Sequence, residues 1–158
     1  MPARPTQPFR DEHRELMRHV EHLRGAAREL PRLSLQERDL LVARIAAFLR
    51  DTLLPHARAE EEVLYPAWAR LVGDEDAAIP MVHDHEAIAE RVRDLERAGA
   101  EDVDRLQELL YGLHALLVVH FEKEEAIQLP ALDEHPDVAR DVLARMEAQT
   151  EHHAHAHA

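Results

Sequence analysis

The sequence predicts an all-α protein: an up-down-up-down four-helix bundle with a short extra C-terminal helix and a disordered, His-rich tail. Apolar residues recur at three- and four-residue spacing along most of the chain, which is typical of amphipathic helices. Only four of the 158 residues are glycine, and 46% are hydrophobic while 4% are aromatic, so we expect an aliphatic, helix-favouring core. This length suits one domain. We predict the bundle over residues 8–131, a helix over 132–150 and the tail over 151–158.

The first two helices carry clear boundary signals. The first is predicted over residues 8–30. Ser34 and Glu37 match a capping box, which predicts the start of a long second helix that runs to about residue 71. Pro55 lies inside this helix and removes one backbone hydrogen bond. We therefore expect a bend at Pro55 rather than a break in the helix.

The second half of the chain continues the same pattern. A third helix is predicted over residues 79–98, with Gly99 as its cap. Asp102 or Asp104 begins a leucine-rich fourth helix, and a shorter helix over residues 136–149 follows it. Because the connections are short, we expect consecutive helices to run antiparallel.

Charge and residue usage exclude several classes of function. The formal net charge is −13 and no basic stripe is present, so we expect no nucleic-acid partner. The chain has no cysteine, so any bound metal must be held by histidine, carboxylates and water. The N-terminus has no apolar signal segment and no stretch is apolar enough to span a bilayer. We therefore expect a cytoplasmic protein with no membrane partner.

Thirteen histidines are the unusual feature of the composition, and two of them begin matched segments. Residues 56–66 and 120–130 each have His at the start, Glu four and five positions later, and Pro at the tenth. Positions i and i+4 stack on one face of a helix, so each His and its first Glu can reach the same point beside the helix. These pairs are His56 with Glu60 and His120 with Glu124.

The other two main helices each offer a histidine near their start, His13 and His85. In an antiparallel bundle the start of the first helix lies level with the end of the second, and the start of the third lies level with the end of the fourth. All six side chains can therefore meet at one end of the bundle. They form a mixed imidazole and carboxylate set that suits two six-coordinate metal ions.

These residues resemble the hemerythrin-like (HHE cation-binding) domain family, over about residues 8–131. The resemblance implies a four-helix bundle around two iron ions (Fe2+/Fe3+), joined by two carboxylates and a bridging oxo or hydroxo group. It implies that Glu60 and Glu124 bridge the irons, with Glu125 as the alternative to Glu124. The terminal ligands that it implies are His13, His56, His85 and His120. The ferritin-like class is disfavoured, because no Asp or Glu lies three residues before any His.

One departure from the family bears on function. Oxygen-carrying hemerythrins have a second His four residues from the first on helix three, where this chain has Met81 and Ala89 around His85. One iron thus has a position left for water, Glu86 or another group such as His83. This departure weakens the case for reversible oxygen carriage.

Three functions remain open from the sequence. The first is binding or sensing of O2, NO or peroxide in a stress response or in iron homeostasis. The second is enzymatic decomposition of peroxide or reduction of NO at the same centre. The third is iron buffering or storage. A redox partner or a second copy of the chain is a further expected partner.

Apart from the alternatives already named, we do not expect the other residues near the motifs to be metal ligands. Tyr65 is taken as a core residue. The remaining acids near the motifs are interpreted as a solvated face, or as groups that orient the histidine rings. These acids are Glu61, Glu62, Glu122 and Glu125.

Overall fold

The computed structural model describes the backbone of residues 2–156 and the side chains of residues 2–152. Over this range the chain is helical and contains no strand, which confirms the predicted all-α bundle. The first long helix, α1, spans Gln7–Glu29 and continues into a short 3-10 turn, Leu30–Arg32. None of the described helices is both long enough and apolar enough to cross a membrane.

The second long helix covers residues 35–72 and contains two wider π-turns. Its segments in chain order are α2 Leu35–Phe48, a π-turn Leu49–Leu53, α3 Leu54–Ala59, a π-turn Glu60–Leu64 and α4 Tyr65–Val72. The predicted capping box is confirmed, because Ser34 and Glu37 hydrogen-bond to each other's backbone N–H groups. Pro55 interrupts the α-helical pattern through the π-turn just before it, and the helix continues.

The remaining helices complete the bundle. They are α5 Ile79–Arg97, α6 Val103–Lys123, a π-turn Glu124–Gln128, α7 Leu129–Asp133 and α8 Pro136–Ala156. Helix α6 packs against both α1 and α5, and α2 packs against α5. Helix α8 lies across α3, α7 and the π-turn Glu60–Leu64.

Two boundary predictions need correction. Gly99 does not cap the third helix in a left-handed conformation; the helix ends at Ala98 with extended backbone. The left-handed cap belongs to Gly73, with φ of 72°, at the end of α4. Helix α8 extends to Ala156 instead of ending near residue 149. The rest of the predicted disordered tail lies outside the described residues.

The core consists of two apolar clusters separated by a polar layer. The larger cluster, around Leu23, Leu110 and Leu113, fills the middle of the bundle. The smaller cluster, around Leu64 and Leu129, lies beneath α8. Each of the four long helices contributes buried polar side chains between the two clusters. The polar residues are therefore covered by apolar residues on both sides, whereas the sequence predicted only that they meet at one end of the bundle.

Candidate metal centre

The structure brings the six predicted residues into the buried polar layer. Each is at most 6% exposed. Local helical spacing explains the two motif pairs, because His Nε2 and Glu Oε1 lie 2.9 Å apart in both of them. The six are His13, His56, Glu60, His85, His120 and Glu124.

Five of these side chains form two groups that share one carboxylate. In each group the ligand atoms lie within 4.8 Å of one another. The first group is His13, His56 and Glu60, and the second is Glu60, His85 and His120. A shared carboxylate between two imidazole pairs is an arrangement that can hold two cations side by side.

Tyr65 joins the second group, which the sequence did not predict. Its hydroxyl oxygen lies 3.1 Å from His85 Nε2, 3.2 Å from His120 Nε2 and 3.5 Å from Glu60 Oε2. The cause is the π-turn that begins at Glu60. Such a turn stacks residue i+5 above residue i, so Tyr65 lies over Glu60 where an α-helix would have placed Leu64.

The spacing of these atoms suits a six-coordinate metal. Two ligands at right angles and about 2.1 Å from one ion are about 3.0 Å apart, whereas tetrahedral ligands at that distance are about 3.4 Å apart. The Nε2 atoms of His85 and His120 are 2.9 Å apart, and the Tyr65 oxygen is 3.1 and 3.2 Å from them. These three atoms are therefore spaced like one face of an octahedron.

Several buried polar atoms of the layer make no hydrogen bond of normal geometry among the described residues, although the two motif pairs are in close contact at 2.9 Å. A buried polar atom without a partner destabilises the fold by about 1–3 kcal/mol, and such atoms are rare in native proteins. Metal ions would satisfy the atoms of this set that face the layer, whereas Nδ1 of His13 faces Glu125 at 3.5 Å. The donor set therefore fits the group that the family implies. The atoms of the set are both ring nitrogens of His13, Nε2 of His56, Oε1 of Glu60 and both carboxylate oxygens of Glu124.

A ring of four carboxylates surrounds the histidines on their outer side. Each carboxylate lies beside an Nδ1 atom of the next helix, at distances of 2.8–3.5 Å. A carboxylate only accepts hydrogen bonds, so Nδ1 is the donor to Glu12, Glu61 and Asp84. That hydrogen bond fixes the tautomer of the ring and leaves Nε2 for the interior. The fourth pair, at 3.5 Å, is an electrostatic contact without hydrogen-bond geometry. The pairs are Glu12 with His56, Glu61 with His85, Asp84 with His120, and Glu125 with His13.

Sequence reasoning identified only half of this ring. Glu61 and Glu125 were among the acids considered as groups that orient the histidines, but Glu12 and Asp84 were missed. The missed signal is that each of them directly precedes a predicted ligand, His13 or His85. Adjacent residues on a helix point about 100° apart, so each acid reaches the histidine of a neighbouring helix.

Electrostatics in the metal-free layer favours an ion pair between His56 and Glu60. Burial disfavours a charged imidazole, but Glu60 and Glu12 outweigh it and raise the pKa of His56 to about 10. Burial also acts against the charge of Glu60, yet His56 lowers the pKa of Glu60 to about 2. A proton on His56 thus occupies the lone pair that a metal would need.

Around Tyr65 and His120, burial sets the direction of the pKa shifts, unlike at His56 and Glu60. Burial, followed by the charge of Glu60, raises the pKa of Tyr65 far above its usual range, so the phenol keeps its proton without a cation. Burial lowers the pKa of His120 and keeps its ring neutral. Asp84 also binds Lys123, and these contacts lower its pKa despite partial burial.

The alternative ligands that the sequence left open lie at or near the surface, outside the buried layer. Glu124 is fully buried beside His120, whereas Glu125 is 42% exposed and lies on the outer side of His13. His83 is 72% exposed and pairs with Glu86 at the surface. Both His83 and Glu86 therefore lie outside the buried layer, which leaves water or another group as the open alternative.

A helical bundle with a buried layer of histidine and carboxylate side chains is typical of cation-binding proteins. A family model described as the hemerythrin HHE cation binding domain matches residues 4–132. The chain therefore belongs to the hemerythrin HHE cation-binding family, and α8 lies beyond the matched residues. Comparison with curated proteins and with solved structures found no match.

Proposed function

We propose that this chain binds two iron ions in the buried layer and uses them to bind a small oxidising ligand: O2, NO or peroxide. The observation that carries the proposal is the pair of buried ligand groups that share Glu60, with the ligand atoms of each group within 4.8 Å of one another. Iron suits the site better than zinc, because the donor spacing fits six-coordination and zinc prefers four ligands. Two irons held there would exchange two electrons with such a ligand.

The two cation positions are unequal, which favours one side for the exogenous ligand. His85 and His120 have the Tyr65 hydroxyl beside them. The residue equivalent to Tyr65 in the second motif is Leu129, which has no donor atom. We therefore assign the vacant coordination position to the His13 and His56 side.

The surrounding side chains would perform three tasks. The carboxylate ring holds the imidazole rings in the tautomer that offers Nε2. Phe121 stacks on His13, with ring centroids 4.6 Å apart, and keeps that side apolar. Tyr65 would offer its oxygen to the cation held by His85 and His120, and its proton would leave to water.

Tyr65 supports a second candidate function, decomposition of peroxide. A phenol beside the metal position differs from the imidazole expected for an oxygen carrier, and it can donate a proton or an electron during turnover. Oxygen evolution when hydrogen peroxide is added to iron-loaded protein would support this candidate. A reversible visible band on oxygenation would instead support carriage or sensing.

The proposal is tested by elemental analysis of protein expressed with iron. We expect about two irons per chain, a loss of most of this iron in His56→Ala and His120→Ala, and full retention in the exposed control His22→Ala. A parent protein that contains zinc alone, or no metal, would contradict the proposal.

The role of Tyr65 has an independent spectroscopic test. A ferric ion bound to a phenolate gives a visible charge-transfer band, which we expect in the oxidised parent and not in Tyr65→Phe. Tyr111→Phe is the matched control, because Tyr111 is the other tyrosine of the chain and is exposed. If Tyr65→Phe keeps the band, Tyr65 is not a ligand.

A further inference from the structure

Helix α2 leaves much of its apolar surface uncovered, far from the metal centre. Only Ala46 of its 14 residues is buried. Leu41, Ile45 and Phe48 follow helical spacing and are only half-buried. Leu40 is 62% exposed. Such a stripe is larger than the isolated apolar residues that a monomer surface normally carries.

Leu41, Ile45 and Phe48 border a groove of about 540 Å³ between α1 and α2. Its floor on α1 is formed by Leu23 and Ala26. Gly25 also lines the groove, and a Cβ added there would meet nothing within 4 Å. Glycine inside a helix destabilises it by about 1 kcal/mol relative to alanine. Its presence here lets another backbone approach α1 closely.

Charge indicates what can occupy this groove. Residues 1–50 contain ten basic and seven acidic residues, a formal charge of +3. The remaining 108 residues contain nine basic and 25 acidic residues, a charge of −16. Two copies of this acidic chain repel each other least when α1 and α2 face each other.

The groove rim is also self-complementary, as a two-fold interface requires. Glu21 and Glu29 lie on its α1 side, and Arg44 lies on its α2 side. In a symmetric pair, Arg44 of one copy can approach an acidic residue of the other.

We propose that the groove between α1 and α2 is the interface of a symmetric homodimer, with Gly25 at the closest approach of the two copies. Gly25 lies 12 residues after His13, about 18 Å further along the helix. Dimerisation through this face therefore leaves the metal centre unobstructed.

Sedimentation velocity of the full chain over a hundredfold concentration range tests this proposal. We expect the parent to sediment as two chains. Gly25→Leu puts a large side chain on this face, at a position where an added Cβ meets no atom of its own chain within 4 Å. It should raise the dimer dissociation constant by at least about tenfold. Gly112→Leu is the matched control: it replaces another mid-helix glycine, outside the groove, where an added carbon meets only Arg91 at 3.9 Å. It should leave the dimer intact.

Leu40→Glu provides a second test that does not threaten folding, because Leu40 is exposed and lies one helical turn before Arg44 of the groove rim. It should also weaken the dimer. A parent that sediments as one chain at every concentration overturns the proposal, and so does a Gly25→Leu variant that stays dimeric. If the parent is monomeric and binds a different protein at the groove, in a way that Gly25→Leu abolishes, the groove belongs to that partner. This result would also overturn the homodimer proposal.

Discussion

At the scale of single residues, the carboxylate ring links the proposed ligands to neighbouring helices. Each ring member lies on a different long helix from the histidine it contacts, so the contacts connect all four long helices around the centre. Glu12, for example, lies on α1 and accepts a hydrogen bond from His56 Nδ1 at 3.1 Å. Partners of this kind orient the ring of a metal ligand and increase its basicity.

Glu12→Gln tests this function directly. An amide is a weaker acceptor for the imidazole N–H, so we expect metal affinity to fall by about 10- to 100-fold. Competition with a chelator of known affinity would measure it. Glu15→Gln is the control, because Glu15 lies on the same helix but pairs only with the exposed Arg18. Equal affinity of the two variants would contradict an orienting role for Glu12.

At the scale of elements, three π-turns share one cause. They begin at Leu49, Glu60 and Glu124, and a proline lies six residues after each start. Proline has no N–H to donate, and its ring clashes with the carbonyl four residues earlier. That carbonyl falls in the middle of each π-turn, and widening the turn relieves the clash. Two of the three turns begin at the motif carboxylates.

Pro66→Ala tests whether the proline keeps Tyr65 in the site. Restoring the N–H lets the helix bond in the α pattern, which rotates Tyr65 away from His85 and His120. We expect a weaker phenolate band in the iron-loaded protein, measured by visible absorption. Pro55→Ala relieves the π-turn Leu49–Leu53, which contains none of the proposed ligands, and should leave the band unchanged. Identical spectra for both variants would contradict this account.

At the scale of the whole molecule, we expect the polar layer to make the stability of the fold depend on a bound cation. Six ionisable side chains lie between two apolar clusters, where unpaired polar atoms destabilise the native state. A metal that binds only the folded chain compensates for this, by about 4 kcal/mol when its free concentration exceeds the dissociation constant a thousandfold. We therefore expect the chain without metal to be less stable, because its ligands are already assembled in the folded state.

Metal removal should consequently lower the melting temperature, by roughly 8–16 °C for a chain of this size. The metal-free protein should also lose stability at alkaline pH. The pKa of His56 rises on folding from 6.5 to about 10, so its stabilising contribution is complete below pH 6.5 and is lost as the pH rises through about 10.

Urea unfolding at a series of pH values, with and without iron, measures both effects. Glu12→Gln should shift the alkaline loss to lower pH, because Glu12 helps to raise the pKa of His56. Metal-loaded protein should lack this loss between pH 6.5 and 10, since the cation replaces the proton on Nε2. A metal-free chain that is equally stable at both ends of that range would contradict the expected ion pair.

The sequence by itself determined the helices and the two His–Glu pairs, because both depend on contacts within one helical turn. Periodicity and the Ser34 cap are local signals, and i,i+4 spacing brings His56 to Glu60 whatever the helix packs against. The tertiary structure alone decided the place of Tyr65, the exclusion of His83, and the pairing of Glu12 and Asp84 with histidines on other helices. A π-turn adds one residue and rotates the following residues by about 100°, which sets the position of Tyr65. The rotation of each helix in the bundle follows from packing between residues that are distant in sequence, which sets the pairing of Glu12 and Asp84.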